Sequence, residues 1–202
     1  MKYRTIAIDC DDVLVETAPL IIEYYNKTYG TSLDLTDMYT DDLERMGVPD
    51  RATAIARIEA YLETEEYRKA SPFPEAIGVI RQLNRHYELH IVTGRTKLLE
   101  TATKDMLDRH FPDIFQSIEF TGFYGGKPRS KADVCRGLNA GLLIDDHLAH
   151  ALPVAQCGVD VLLFGNYPWN QTKEKLPGNI RRVNGWDEIA VLLAPDRVAG
   201  EV

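Results

Sequence analysis

Short runs of apolar and β-branched residues recur along the chain, separated by segments whose apolar residues fall at helical spacing. Thr5-Ile6-Ala7-Ile8 has no turn residue and no polar alternation, the pattern of a strand buried on both faces. Similar runs follow at Glu88–Thr93, Ile118–Thr121, Gly141–Ile144 and Val159–Phe164, with a short sixth at Ile180–Val183. Between them, Leu20, Ile21, Tyr24 and Tyr25 define a helix that opens near Pro19 and stops at Gly30. Ile55, Ile58, Tyr61 and Leu62 define another, and Ala76, Ile77, Ile80 and Leu83 a third, opened by Pro74. A helix from about Lys97 to Arg109 is expected to bury Leu98, Leu99, Ala102, Met106 and Leu107. Ser130, with Asp133 three residues on, reads as the cap of the next helix. Leu148, Leu152 and Ala155 mark one that ends at Gly158, and Trp186–Leu193 a last one. Residues 31–49 are polar, acidic and irregular.

Strands alternating with helices predict an α/β fold, a doubly wound parallel-sheet core. Residues 1–16 and 73–202 supply that core. Residues 17–72, helical and closed by the break Ser71-Pro72-Phe73-Pro74, are expected to form a small helical cap inserted after the first strand.

Charge and composition narrow the picture. The 202 residues carry a formal net charge of −8, which disfavours a nucleic-acid polymer or an anionic membrane as the main partner. An acidic protein that takes an anionic substrate must gather positive charge locally. The N-terminus lacks the pattern of a signal peptide, and no run has the length of a transmembrane helix. Cys10, Cys135 and Cys157 are odd in number and far apart, which suits a reduced, cytoplasmic setting and argues against zinc. The oligomeric state is not legible.

Candidate chemistry clusters where strands end. Asp9 and Asp11 follow the first strand, and two residues of extended chain aim them the same way. Ligands of open parallel sheets bind outside the carboxyl ends of the strands. Two carboxylates held there call for a hard cation such as Mg2+, with one free to attack phosphorus. Thr93 and Gly94 end the second strand, Lys127 and Lys131 precede the fourth, and Asp145-Asp146 follow it. Parallel strands bring all of these to one edge, and the inventory is that of phosphoryl transfer. Taken singly, Asp9-Cys10-Asp11 is a solvated turn, Thr93 a strand end and Asp145-Asp146 a helix-capping pair; the order and combination set them apart.

That combination resembles the haloacid-dehalogenase-like superfamily of phosphohydrolases, through Ile6-Ala7-Ile8-Asp9-Cys10-Asp11-Asp12-Val13, Ile91-Val92-Thr93-Gly94-Arg95, Lys131 and Leu143-Ile144-Asp145-Asp146. The finer pattern, Leu14-Val15-Glu16-Thr17 with Leu143-Ile144-Asp145-Asp146, is similar to the 5′(3′)-deoxyribonucleotidase-like branch. The resemblance implies a Mg2+-dependent phosphomonoester hydrolase with a Rossmann-like core. By it, Asp9 is the nucleophile that becomes an aspartyl-phosphate, and Asp11 is the general acid and then base. Thr93, Gly94 and Lys131 bind the phosphoryl group, with Lys127 the second choice of lysine. Asp9, the Asp11 carbonyl and Asp145 ligate the metal, and Asp146 supports the site or orients the lysine. Asp12 stands where many members carry glycine. A receiver-type signalling module fits worse, because here Thr93 precedes the Asp145-Asp146 pair. Carbon–halogen hydrolysis needs no acid at Asp11, and a silent scaffold needs none of the charged roles filled.

The substrate is then a small phosphorylated metabolite, a nucleotide or a sugar phosphate. The candidate cap holds Tyr24, Tyr25, Tyr29, Tyr39, Tyr61 and Tyr67, with Phe73 at its exit. At least half are expected to pack the cap itself, leaving the rest to stack on a planar base. His147 and His150 read as a solvated helix face, Arg95 equally as an anion contact or a surface ion pair, and Tyr167-Pro168-Trp169-Asn170 as a loop pinned by buried aromatics.

Overall fold

The computed structural model describes residues 2–40, 42–122 and 129–194, and of residues 38–40 the backbone alone. Six parallel strands form one sheet: β1 (Thr5–Ile8), β2 (Glu88–Thr93), β3 (Ser117–Phe120), β4 (Leu142–Asp145), β5 (Asp160–Phe164) and β6 (Ile180–Val183), in the order β3-β2-β1-β4-β5-β6. β1 lies at the centre, with Ile6 and Ile8 in register with Leu89 and Ile91 on one side and with Leu142 and Ile144 on the other.

Alternation along β1 explains the double winding. Ile6 and Ile8 pack on the face covered by α5 (Pro74–Leu83), α6 (Glu100–His110) and α9 (Trp186–Leu192), among Ile80, Met106 and Ile189. Ala7 points to the other face, under α7 (Lys131–Gly137) and α8 (Leu148–Gln156), among Val134, Ala151 and Val154. A strand two-sidedly apolar needs such cover on both faces. Strand order reverses between β1 and β4, and that switch point opens a crevice at the carboxyl ends of these two strands.

Four further helices stand between β1 and α5: α1 (Thr17–Tyr29), α2 (Leu35–Thr40), α3 (Arg51–Leu62) and α4 (Glu65–Arg68). They have an interior of their own, built on Tyr25, Leu33, Met46 and Ala54, with Tyr25 donating to the Met46 carbonyl at 3.0 Å. A second cluster, Ile21, Tyr61, Leu62 and Tyr67, closes on Leu99 and so seats these helices on the core. α1 ends at Gly30 in the left-handed conformation, φ 67°, which glycine adopts without a Cβ clash.

Two expectations need correction. The acidic stretch 31–49 is not wholly irregular, because Asp34 accepts the amides of Thr36 and Asp37 and so starts α2, while Asp37 pairs with Arg45 at 2.5 Å. Leu98 is 48% exposed: Lys97–Leu99 forms a 3-10 turn, whose tighter winding rotates Leu98 outward and Leu99 inward. Among the described residues no helix is long and apolar enough to cross a membrane.

Candidate active site

Asp9 leaves β1 still hydrogen-bonded to the neighbouring strand β4, its amide donating to the Ile144 carbonyl at 2.9 Å. Its carboxylate is held at both ends: Oδ1 accepts the Cys10 amide at 2.7 Å, and Oδ2 lies 2.6 Å from Lys131 Nζ. The chain then turns sharply at Asp12, φ 55°, a left-handed position that explains why glycine is at home there and why Asp is tolerated. Asp12 also accepts the Ala18 amide at 3.0 Å, so its carboxylate serves the first turn of α1. Cys10 is fully buried beneath the turn, as expected of a core residue.

Lys131 opens α7, and local chemistry sets that start. Ser130 and Asp133 form a reciprocal capping box, each side chain accepting the other's backbone amide. From there the ammonium reaches Asp145 Oδ2 at 2.7 Å as well as Asp9. Asp145 is fully enclosed, its Oδ1 accepting the His147 amide at 2.8 Å. Orienting the lysine thus falls to Asp9 and Asp145, not to Asp146, whose Oδ2 instead accepts the Trp169 indole N–H. The second lysine candidate, Lys127, and the Tyr39 side chain lie outside the described residues.

Thr93 ends β2 fully buried, with Oγ1 accepting the Arg95 amide at 3.2 Å. The loop after it is fixed by Gly122, whose amide donates to the Arg95 carbonyl at 3.1 Å; a Cβ there would stand 2.4 Å from the Gly94 carbonyl oxygen. Arg95 is no surface residue. Its enclosed guanidinium grips Asp11 twice, Nε to Oδ2 at 2.9 Å and Nη2 to Oδ1 at 2.7 Å. His147 is the N-cap of α8 and not part of the helix, accepting the Ala149 amide at 3.1 Å. His150 stands behind it, Nδ1 3.4 Å from Asp145 Oδ1, so the two are not simply a solvated face.

Charge is concentrated and unequal. Asp9, Asp12, Asp145 and Asp146 are all at most 6% exposed. Burial pushes the Asp9 carboxyl up against the pull of Lys131. Burial and the Asp145 charge push Asp146 well up, and burial drives Asp12 up to about 8. Asp145 is held low, the Lys131 and His150 charges outweighing its burial. Asp11 is held low too, the Arg95 charge and hydrogen bonds outweighing burial. Lys131 is raised, the Asp145 and Asp9 charges outweighing burial. Among the described residues, Lys131 alone pairs with Asp9 and Asp145, while Arg95 is taken up by Asp11. Asp9, Asp145 and His150 offer ligand atoms within 4.8 Å of one another. Crowded carboxylate oxygens fit a hard divalent cation such as Mg2+.

A cavity of about 700 Å³ opens over the site. Asp9, Asp11, Gly94 and Asp146 line it, while Thr93, Lys131 and Asp145 lie behind that surface. Its opposite wall is aliphatic, made by Ile21, Ile55, Ile58 and Leu62 from the inserted helices with Leu99. None of the described cap tyrosines lines it. Tyr24 stacks on Tyr61 at 4.4 Å, Tyr25 is fully buried and Tyr29 lies under Arg57, so these rings pack the insertion instead. Phe73 packs against Phe164. Among the described residues, Trp169 brings an indole to the lining, from the core. The loop that carries it is both pinned and functional in position, Tyr167 donating to the Asp12 carbonyl at 3.2 Å.

A parallel six-stranded α/β sheet with this carboxylate and lysine set at its switch point defines a haloacid-dehalogenase-like phosphohydrolase, a hydrolase of phosphoric monoesters. More narrowly, residues 4–195 match the family described as 5′ nucleotidase, deoxy (pyrimidine), cytosolic type C protein, and the chain belongs to that family. The Bacillus subtilis protein named "Putative nucleotidase YqfW" is 26% identical over 189 residues, 91% of this chain and 90% of its own. A Staphylococcus epidermidis protein named "Putative 5'(3')-deoxyribonucleotidase" is 27% identical over 94 residues, 46% of this chain and 51% of its own. Among solved structures, a "predicted phosphatase from Clostridium acetobutylicum" shares the fold with a TM-score of 0.68 at 17% identity, over 95% of this chain and 98% of its own. The "putative HAD-hydrolase YfnB from Bacillus subtilis bound to magnesium" does so with a TM-score of 0.64 at 16% identity, over 96% of this chain and all of its own.

Proposed function

We propose that the protein is a Mg2+-dependent nucleoside monophosphatase working through an aspartyl-phosphate on Asp9. The observation that carries the reading is the Asp9 carboxylate, lining the cavity with Lys131 Nζ 2.6 Å behind it. A carboxylate so placed is fixed in direction, and its lysine balances charge as a phosphate approaches. Asp9 attacks phosphorus; Asp11, which must first take up a proton from solvent against the pull of Arg95, gives it to the leaving oxygen and later takes one from the attacking water. Lys131, the Thr93 hydroxyl and the Gly94 amide hold the non-bridging oxygens.

Asp9, with Asp145 and Asp146 at the end of β4, would hold the metal, which when bound supplies positive charge against the repulsion between carboxylate and phosphate. Asp145 already carries Lys131 and the His147 amide, whereas Asp146 accepts the Trp169 indole N–H on Oδ2 and lines the cavity, which favours Asp146 as the second carboxylate at the ion. Residues 17–72 act as the cap, closing the aliphatic wall over the nucleoside and excluding water. The base then rests against Ile21, Ile55, Ile58 and Leu62 instead of between tyrosines. The family's description and the nucleotidase names of the relatives support the nucleotide, and the cytosolic label supports a cytoplasmic enzyme.

The test is a kcat/KM panel with Mg2+ against ribonucleotides, deoxyribonucleotides, sugar phosphates and phosphoglycolate, each repeated with chelator. Nucleoside monophosphates should lead, and activity should return only on adding metal. Sugar phosphates ranking equal or higher would overturn the nucleotide assignment, and full activity in chelator would overturn the metal.

A further inference from the structure

Asp11 is the acid of the reading above, and in this structure both of its oxygens already accept hydrogen bonds. Oδ2 accepts Arg95 Nε at 2.9 Å; Oδ1 accepts Arg95 Nη2 at 2.7 Å and the Thr17 hydroxyl at 2.7 Å. Arg95 is itself fixed from behind, Nη1 donating to Thr103 Oγ1 at 2.9 Å on α6. Its side chain is 2% exposed against 29% for Asp11, so the carboxylate faces the cavity and the guanidinium stands behind it. The remaining partner of Arg95 comes from the insertion: Nη2 also donates to the Tyr67 hydroxyl, which lies 3.0 Å from Thr17 Oγ1. Core and insertion therefore meet in one buried network at the acid, with the Arg95 guanidinium against the Tyr67 ring.

We propose that Arg95 is the positioning residue for the acid–base group Asp11, and that Tyr67 couples this positioning to the inserted helices. The proposal rests on the assignment of Asp11 as the general acid. A bidentate guanidinium fixes a carboxylate in a plane as an ammonium cannot. Fixed in this way, Asp11 keeps one direction toward the cavity, where the leaving oxygen comes to it. Tyr67 and Thr17, carried on the segments that the cap would move, share the same donors and acceptors. Closure of the insertion over a substrate thus acts on the acid through two hydroxyls and one guanidinium.

The experiment compares leaving groups by kcat/KM, which reports steps up to departure of the alcohol. p-Nitrophenyl phosphate releases an anion that needs no proton; a nucleoside monophosphate releases a sugar alcohol that does. Arg95→Met should lower kcat/KM for the nucleotide by on the order of a hundredfold more than for p-nitrophenyl phosphate, the range of general acid catalysis. Arg95→Lys should show the same selectivity with a smaller loss, and it carries the test if Arg95→Met does not fold. Tyr67→Phe should be selective too, and less so again. The double variant Arg95→Lys, Asp11→Asn should be no slower on the nucleotide than Asp11→Asn alone. Equal losses on both substrates, or losses that multiply in the double variant, would overturn the role of Arg95, and an unselective Tyr67→Phe would overturn the coupling. If Asp11→Asn itself loses equally on both substrates, the acid assignment fails and the proposal with it; a selective Asp11→Asn beside an unselective Arg95→Lys sinks the proposal alone.

Discussion

The Lys131 ammonium stands 2.6 Å from Asp9 Oδ2, although the two come from distant parts of the chain. Both are buried, so the pair is a structural commitment as well as a chemical one. Removing the lysine leaves two largely buried carboxylates, Asp9 and Asp145, without their shared cation.

Lys131→Met is expected to abolish turnover and to destabilise the fold by about 3–5 kcal/mol, because Asp9 and Asp145 would then repel without a cation between them. Urea denaturation checks the second part and steady-state assay the first. A stable, active variant would move the phosphate-binding cation to Lys127.

Asp9→Asn removes the nucleophile and keeps its shape. Turnover should vanish while the thermal midpoint stays level or rises, since one of several crowded carboxylates is gone. Near-wild-type kcat would refute Asp9 as the attacking group.

The two carboxylates at the end of β4 should separate in metal affinity. Asp146→Asn should weaken the rise in thermal midpoint caused by Mg2+ more than Asp145→Asn does, because a ligand that binds more tightly stabilises the fold more. Asp145→Asn should act chiefly through Lys131 and lower stability without metal. The opposite ranking would put the ion on Asp145, the residue that the family resemblance names.

The histidine contribution to stability should fall as pH drops through about 6.5, the ordinary histidine value, while the raised Asp12 and Asp146 carboxyls favour the fold as pH falls. His90 and His110 both have lowered pKa values, burial being the first cause in each. A lowered histidine is neutral in the fold above that window; below it, the unfolded chain binds more protons, so folding loses ground. Relative to the parent protein, His90→Gln should shift the change in thermal midpoint from pH 7.5 to 5.5 upward. An unchanged slope would show that other groups set it.

Much of this protein is decided by local pattern. Two-sided apolar strands such as Thr5–Ile8 and Leu142–Ile144 have no stable place outside a covered parallel sheet, so they announce the fold before any contact is known. Ser130 and Asp133 announce the start of α7 because a capping box closes within three residues. Asp9, Asp11, Lys131 and Asp145 were legible for a related reason: parallel strands carry their ends to one edge whatever lies between.

What the chain alone could not decide depends on partners distant in sequence. Arg95 reads equally well as a surface pair until Asp11, Tyr67 and Thr103 are seen around it, since no local spacing records burial. Asp145 and Asp146 are adjacent and chemically identical, and only the positions of Lys131 and Trp169 divide their roles. The tyrosines of residues 17–72 suggest a stacking site, but a small helical unit short of core volume takes up the described ones and leaves Ile21, Ile55, Ile58 and Leu62 to face the cavity. Composition states how many aromatic rings a segment holds; the packing of that segment decides which of them remain free.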